Sequence, residues 1–323
     1  MHKYLGVDLG GTRLSAAVLD TGTGEVSVLR TVPTLAREGH AAVVERMAGL
    51  IESVIGESGL PKDRLAAIGI GVPGMLDLER GRVLFLPNLP GNWPDVPLQS
   101  MIAERLCLPT YLLNDARSMT LGEWAFGAGR DVDDMACFTV GTGIGGGLVI
   151  GGKLHLGIGG TGGELGHQII DMHGPPCGCG SRGCLEAFAS GSAITAMGLK
   201  AVTQGLTTHI GEMVDYDLNR INPEVIARAA QAGDEIANDI YQRAGFYLGI
   251  AVSNVLTAVG PRKVVIGGGV AQAGELLFEP IRRTVAERVH LMPKEKVQIL
   301  PAQLGTNAGL IGAALWAHQQ NER

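Results

Sequence analysis

The sequence predicts an α/β protein of two lobes, and three observations carry that prediction. Its 323 residues exceed a comfortable single core, so two lobes are the default. Strand-like and helix-like segments alternate from residue 1 to about 125. A strand, a glycine turn with a threonine and a second strand occur over 3–19 and again over 136–150, which reads as an internal duplication.

Residues 3–8 (KYLGVD) and 14–19 (LSAAVL) read as strands around Leu9, Gly10, Gly11, Thr12 and Arg13. Glycines there let backbone N–H groups approach an anion, and Thr12 and Arg13 add side-chain donors. Apolar residues at Val44, Met47, Ala48, Ile51, Val54 and Ile55 have the three-and-four spacing of an amphipathic helix over 41–55. LAAIGIG (65–71) is a buried strand that ends in Val72, Pro73 and Gly74. A helix near 98–106 precedes the strand 110–113, which delivers Asn114 and Asp115 just before a helix over 116–125. Ligands of open α/β sheets bind at the carboxyl ends of strands. An Asn-Asp pair in that place is also what a simple helix cap requires.

The second lobe opens near 130–135, and in ACFTVGTGIGGGLVI (136–150) Gly141, Thr142 and Gly143 stand where Gly10, Gly11 and Thr12 stood. Helices are expected over 223–232 and 234–259, the second ended by Gly260 and Pro261. KVVIGGGVA (263–271) is read as a strand running into a third glycine turn at Gly267, Gly268 and Gly269. A helix at about 274–290, a strand at 297–301 and a helix at 305–318 complete the chain. Three such strand–glycine turns point to nucleotide handling.

Between these turns lies GGELGHQIIDMHGPPCGCGSRGCLE (162–186), which holds three of the five cysteines in a C-x-C-x4-C spacing. Cys177, Cys179 and Cys184 supply three thiolates from one glycine-rich loop, a poor disulfide framework but a good tetrahedral metal site. Either His167 or His173 can supply a fourth ligand, and spacing leaves both open. Glu164 and Glu186 offer acceptors for the hydroxyls of a neutral polyol, and Asn114 offers a donor and an acceptor. Asp115 has the chemistry of a base that takes a hydroxyl proton during phosphoryl transfer.

Composition narrows the function classes. The chain is 46% hydrophobic and 18% charged, with a net charge of −6 and no basic run, so a nucleic-acid surface is not expected. No signal-type stretch and no apolar run near the ~18–20 residues of a membrane span is present, and a cytoplasmic protein is expected.

Taken together, DLGGTR, GVPG, LLNDA, TVGTGIGGG, GELGH, CGCGSRGCLE and IGGGVA resemble the ROK family of repressors and sugar kinases, in its order and over essentially the whole chain. The CxCGxxGCxE element with an upstream ExGH is the most specific part, and the chain is most similar to ROK glucokinases. The resemblance implies an actin-like ATPase (ribonuclease H-like) fold with its active site in a cleft. One lobe would comprise 1–117 rejoined by 305–323, and the other 118–304 with the zinc loop 164–186. It implies an ATP-dependent hexokinase with Asp115 as catalytic base and the sugar held by Asn114, Glu164, His167, Glu186 and the backbone at Gly74. His167 would be the fourth ligand of a structural Zn2+, beside Cys177, Cys179 and Cys184. Gly10, Gly11, Thr12 and Arg13 with Gly141, Thr142 and Gly143 would hold the ATP phosphates, Asp8 would lie near Mg2+, and Gly268 and Gly269 near the adenosine. A homodimer or homotetramer is implied. Arg13 departs from the lysine often found there, which changes the geometry of that phosphate contact.

Glucose is the favoured acceptor, with mannose, fructose and N-acetylated hexosamines served by the same scaffold in relatives. A sugar-responsive repressor is set aside because the first phosphate strand begins at residue 3, leaving no helix-turn-helix ahead of it. A chaperone or filament ATPase has no evident use for the cysteine loop and the Asn-Asp pair.

Overall fold

The computed structural model describes residues 3–86 and 89–322. Contacts divide them into two compact units. The first contains the chain up to Asp131, Gly147–Gly163 and the chain from Gln303 onward; the second contains Val132–Gly146 and Glu164–Ala302. By contacts the first unit runs on to Asp131 and also includes 147–163, whereas the element pattern opens the second lobe near 130–135 and the resemblance changes lobe at 117/118.

The chain starts with a hairpin of β1 (Lys3–Leu9) and β2 (Arg13–Leu19), extended by β3 (Val26–Pro33). Helix α1 (His40–Ser58) leads to β4 (Leu65–Val72) and a small ribbon of β5 (Met75–Asp77) and β6 (Arg82–Phe85). Helix α2 (Leu98–Leu106), β7 (Thr110–Asn114) and α3 (Asp115–Phe126) follow. The strands form one sheet in the order β3-β2-β1-β4-β7, antiparallel over the opening hairpin and parallel from β1 to β7. That switch follows from the connections, since a tight turn joins antiparallel strands and a helix is needed between parallel ones.

One face of this sheet buries Leu5, Val7, Ile68 and Ile70 with Met47 and Ile51 of α1 and Ile102 of α2. The other face packs Tyr4 and Leu113, together with Leu121 of α3, against Ile311 and Trp316 of the last helix, which runs from Ala308 to Asn321. Two glycines make that close packing feasible: a Cβ on Gly6 or Gly69 would overlap the carbonyl oxygens of Leu310 and Ala313.

In the second unit β8 (Met135–Val140) leads through a glycine turn into β9 (Ile144–Ile150), whose last residues lie in the first unit beside β10 (Lys153–Leu154). The cysteine loop ends in α4 (Glu186–Ala189), followed by α5 (Gly191–Thr203), α6 (Pro223–Gln231) and α7 (Glu235–Val259). Then come β11 (Lys263–Gly267), α8 (Glu275–Arg288) and β12 (Gln298–Pro301), with α9 being the last helix already described. β11 lies parallel between β8 and β12. Asp234 caps α7 by accepting from the Ala237 N–H, and Gly260 ends it in the left-handed conformation.

The strand expected to run into a glycine turn at 267–269 does so: β11 ends at Gly267, and Gly268 takes a positive φ of 92° as the chain turns. Other elements differ from the sequence reading. Helix α5 carries glycine at its first position and at 198, which hides its period, and β3 is half-exposed along its length, without a clear inside–outside alternation. No helix among the described residues is long and apolar enough to cross a membrane.

Candidate active site and metal centre

In the first unit the expected residues fall at strand ends. Asp8 is the penultimate residue of β1, and Gly10 to Arg13 make the turn into β2, closed by the Gly10 N–H donating to the Arg13 carbonyl at 2.9 Å. Gly74, with φ 81°, links β4 to β5. Asn114 ends β7 and caps α3, its Oδ1 accepting from the N–H groups of Ala116 and Arg117 at 3.0 and 3.3 Å. Its Nδ2 donates to the Gly74 carbonyl at 3.2 Å, so one side chain fixes both the start of α3 and the Gly74 loop. Asp115 opens α3 and also accepts from the Ala116 N–H, at 2.8 Å.

Asp8 and Asp115 repel one another. Burial pushes the Asp8 carboxyl up from 3.8 to about 7, and the charge of Asp115 adds to the rise. Asp8 nevertheless retains some surface exposure, which limits how much of that burial cost is felt. Two oxygen-ligand carboxylates with this mutual repulsion suit a hard divalent cation.

The second unit contains a cluster that could hold a metal ion. His167, Cys177, Cys179 and Cys184 bring one donor atom each within 4.8 Å of the others. Cys177 Sγ is 3.7 Å from His167 Nδ1, and Cys179 Sγ is 3.7 Å from Cys184 Sγ. Sulfur and nitrogen donors at zinc bond lengths on a tetrahedron stand about 3.5–3.8 Å apart, so the four fit one tetrahedral ion. His173 lies outside the cluster, exposed, with its N–H donating to Asp171.

The loop is shaped by its own backbone. The Cys177 N–H donates to the Ser181 carbonyl at 2.8 Å and the Gly180 N–H to the Cys177 carbonyl at 3.0 Å, which folds the thiols onto one side. Without an ion, burial pushes the Cys177 thiol up to about 12 and raises that of Cys184, while the backbone N–H of Ser181 lowers that of Cys179. A cation reverses these costs by binding the thiolate forms.

Glu164 precedes the short turn Leu165–His167, and Glu186 opens α4. Glu186 Oε2 accepts from the Ile144 N–H at 2.8 Å, tying the end of the cysteine loop to the start of β9. Gly141, Thr142 and Gly143 make the turn from β8 to β9, and Gly268 packs against the backbone of Val140 just before it, with Gly269 following. The second unit therefore gathers two glycine turns, two carboxylates and the candidate metal ligands.

Two buried charges escaped the sequence reading. Arg117 donates from Nε to the Gly162 carbonyl at 2.9 Å. Glu123 accepts from the N–H groups of Ala128, Gln303 and Leu304. Their spacing gave no signal, because positions six apart on a helix do not share a face, and α3 is buried on more than one side.

The two sheets, each opening with a strand–glycine turn–strand hairpin, define the class. This is the actin-like ATPase fold seen in ROK sugar kinases. The ROK family model matches residues 4–320, and the chain belongs to the ROK family. A glucokinase of Thermotoga maritima is 38% identical over 318 residues, covering 97% of this chain and 96% of that protein. The structure of a ROK glucokinase of Streptomyces griseus in complex with glucose and AMPPNP superposes with a TM-score of 0.84 at 34% identity, over 98% of this chain and 99% of that one. A xylose repressor of Caldicellulosiruptor bescii is 32% identical over 310 residues, covering 96% of this chain and 76% of the repressor.

Proposed function

We propose that this ROK protein is an ATP-dependent sugar kinase that transfers the terminal phosphoryl group of ATP to the 6-hydroxyl of a hexose, with glucose preferred. The observation that carries this reading is the Asn114–Asp115 pair at the carboxyl end of β7, with Asp115 at the start of α3 and the carboxylate of Asp8 beside it. The likeness to glucokinases over nearly the full chain supports the choice of glucose.

In this reading Asp115 accepts the hydroxyl proton as the sugar oxygen bonds to the terminal phosphorus, and the bond from that phosphorus to ADP breaks. The proton then passes from Asp115 to solvent. Asn114, the Gly74 backbone, Glu164, His167 and Glu186 hold and orient the sugar hydroxyls. Gly10, Gly11, Thr12 and Arg13 together with Gly141, Thr142 and Gly143 receive the phosphates, and Gly268 and Gly269 receive the adenosine. Asp8 is the group assigned to Mg2+, which when bound neutralises phosphate charge.

Zn2+ is assigned to His167, Cys177, Cys179 and Cys184 as a structural ion. His167 faces the thiols with Nδ1, which leaves Nε2 for a sugar hydroxyl, so the ion orients a sugar-binding side chain.

The test is ADP release with Mg-ATP across glucose, mannose, fructose, N-acetylglucosamine and N-acetylmannosamine. Release that depends on sugar and is fastest with glucose is expected. A preference for another sugar would move the assignment to that kinase. Sugar binding without any ADP release would identify a regulator instead.

A further inference from the structure

The two proposed phosphate turns share a device that their own residues do not contain. In the first unit, Thr34 reaches the Gly10–Arg13 turn from the segment after β3. Its Oγ1 donates to the Gly10 carbonyl at 2.7 Å, and its N–H donates to the Thr12 carbonyl at 3.0 Å. Thr34 is fully buried and is itself held, with Arg46 Nη1 donating to its carbonyl at 2.8 Å.

In the second unit, the first turn of α5 does the same to the Gly141–Gly143 turn. Gly191 N–H donates to the Gly141 carbonyl at 2.7 Å. Ser192 donates to the Thr142 carbonyl twice, from Oγ at 2.8 Å and from N–H at 3.3 Å. The hydroxyl comes from 24 residues after its partner in one unit and 50 residues after it in the other, so no local motif repeats the arrangement.

The consequence follows from the planar trans peptide, in which a carbonyl and the next residue's N–H point in opposite directions. Binding the Gly10 carbonyl to Thr34 turns the Gly11 N–H away from Thr34. Binding the Gly141 and Thr142 carbonyls to Gly191 and Ser192 turns the N–H groups of Thr142 and Gly143 away from α5. Gly11 and Thr142 are exposed at the rims of their turns. A phosphate is repelled by carbonyl oxygens and bound by convergent N–H groups, so fixing the carbonyls decides whether such a turn binds an anion.

We infer that Thr34 and Ser192 are positioning residues for the nucleotide phosphates, each clamping the carbonyls of one glycine turn so that its amides face the anion. This inference rests on the kinase reading for the identity of the anion. It adds two residues that no motif singles out.

The experiment measures Mg-AMPPNP binding directly and, alongside it, KM for ATP and for glucose, in wild type, T34V, T34S and S192A. Valine keeps the shape of threonine and removes the hydroxyl, so T34V should weaken AMPPNP binding and raise the ATP KM roughly three- to tenfold, as loss of one hydrogen bond predicts. The glucose KM should stay within about twofold. T34S keeps the donor and should restore tight nucleotide binding. S192A keeps one backbone bond to Thr142 and should show a smaller change in the same direction, about two- to threefold.

AMPPNP binding by T34V equal to wild type would overturn the clamp, as would equal rises in both KM values or failure of T34S to restore binding. The kinase reading is judged separately. Wild type that binds AMPPNP but releases no ADP with any sugar would remove the kinase while the clamp is still decided by binding. Wild type that binds no nucleotide would overturn both.

Discussion

Replacing Asp8 by asparagine should make this protein more stable at alkaline pH and leave it unchanged in acid. The fold raises the Asp8 carboxyl from 3.8 to about 7, first by burial and then by the charge of Asp115. Because the folded value lies above the unfolded one, the favourable contribution is complete below the unfolded value and disappears as pH rises through 7. At about 1.4 kcal/mol per tenfold, that interval corresponds to about 4 kcal/mol of stability lost on ionisation. Partial exposure of Asp8 lets water screen the charge, so about 2–4 kcal/mol is expected. Asparagine is close in shape and does not ionise, so D8N escapes this loss.

The assay is the thermal midpoint of wild type and D8N from pH 5 to pH 9, in buffer without magnesium or nucleotide. The midpoints, which coincide only below about pH 4, should differ slightly at pH 5 and separate by roughly 3–6 °C at pH 9, with D8N higher. Adding Mg-ATP should narrow the gap by binding the ionised wild type. Midpoints that run parallel across the whole range would refute the argument, because Asp8 would then ionise as it does in the unfolded chain.

Asp115→Asn should lower kcat by roughly 10²–10⁴-fold while the glucose KM changes little, and turnover like wild type in a coupled ADP assay would remove Asp115 from the base role. Cys179→Ser should lower metal content by elemental analysis and raise the glucose KM through a disordered His167; full metal content with normal glucose binding would contradict the metal centre described above. Gly166→Ala places a Cβ inside the radius of the Ile144 carbonyl oxygen, so it should lower the thermal midpoint by several degrees, the effect of roughly 1–3 kcal/mol, and an unchanged midpoint would show that the turn relaxes freely.

Much of the site was legible because its chemistry is local in sequence. The spacing of Cys177, Cys179 and Cys184 on glycine-rich backbone announces a metal loop wherever the loop sits. Asn114 and Asp115 stand at a strand-to-helix junction that periodicity alone locates, and the structure ends β7 and begins α3 there. The amphipathic spacing of Val44, Met47, Ile51 and Val54 likewise yields a helix that buries those four residues.

What the amino-acid order determined by itself, then, was everything set by backbone periodicity and near-neighbour spacing: the α/β class, the glycine turns and the thiol cluster. Tertiary structure alone decided which partners meet. It placed His167, which the resemblance implied but spacing left open against His173, with the thiols, and it brought Thr34 and Ser192 to the carbonyls of turns remote in sequence. It also buried Glu123 where the backbone of Gln303 and Leu304 returns, about 180 residues later. The physical reason is that a hydrogen bond between distant segments depends on where sheet packing brings the chain back, and no spacing along the sequence encodes that distance.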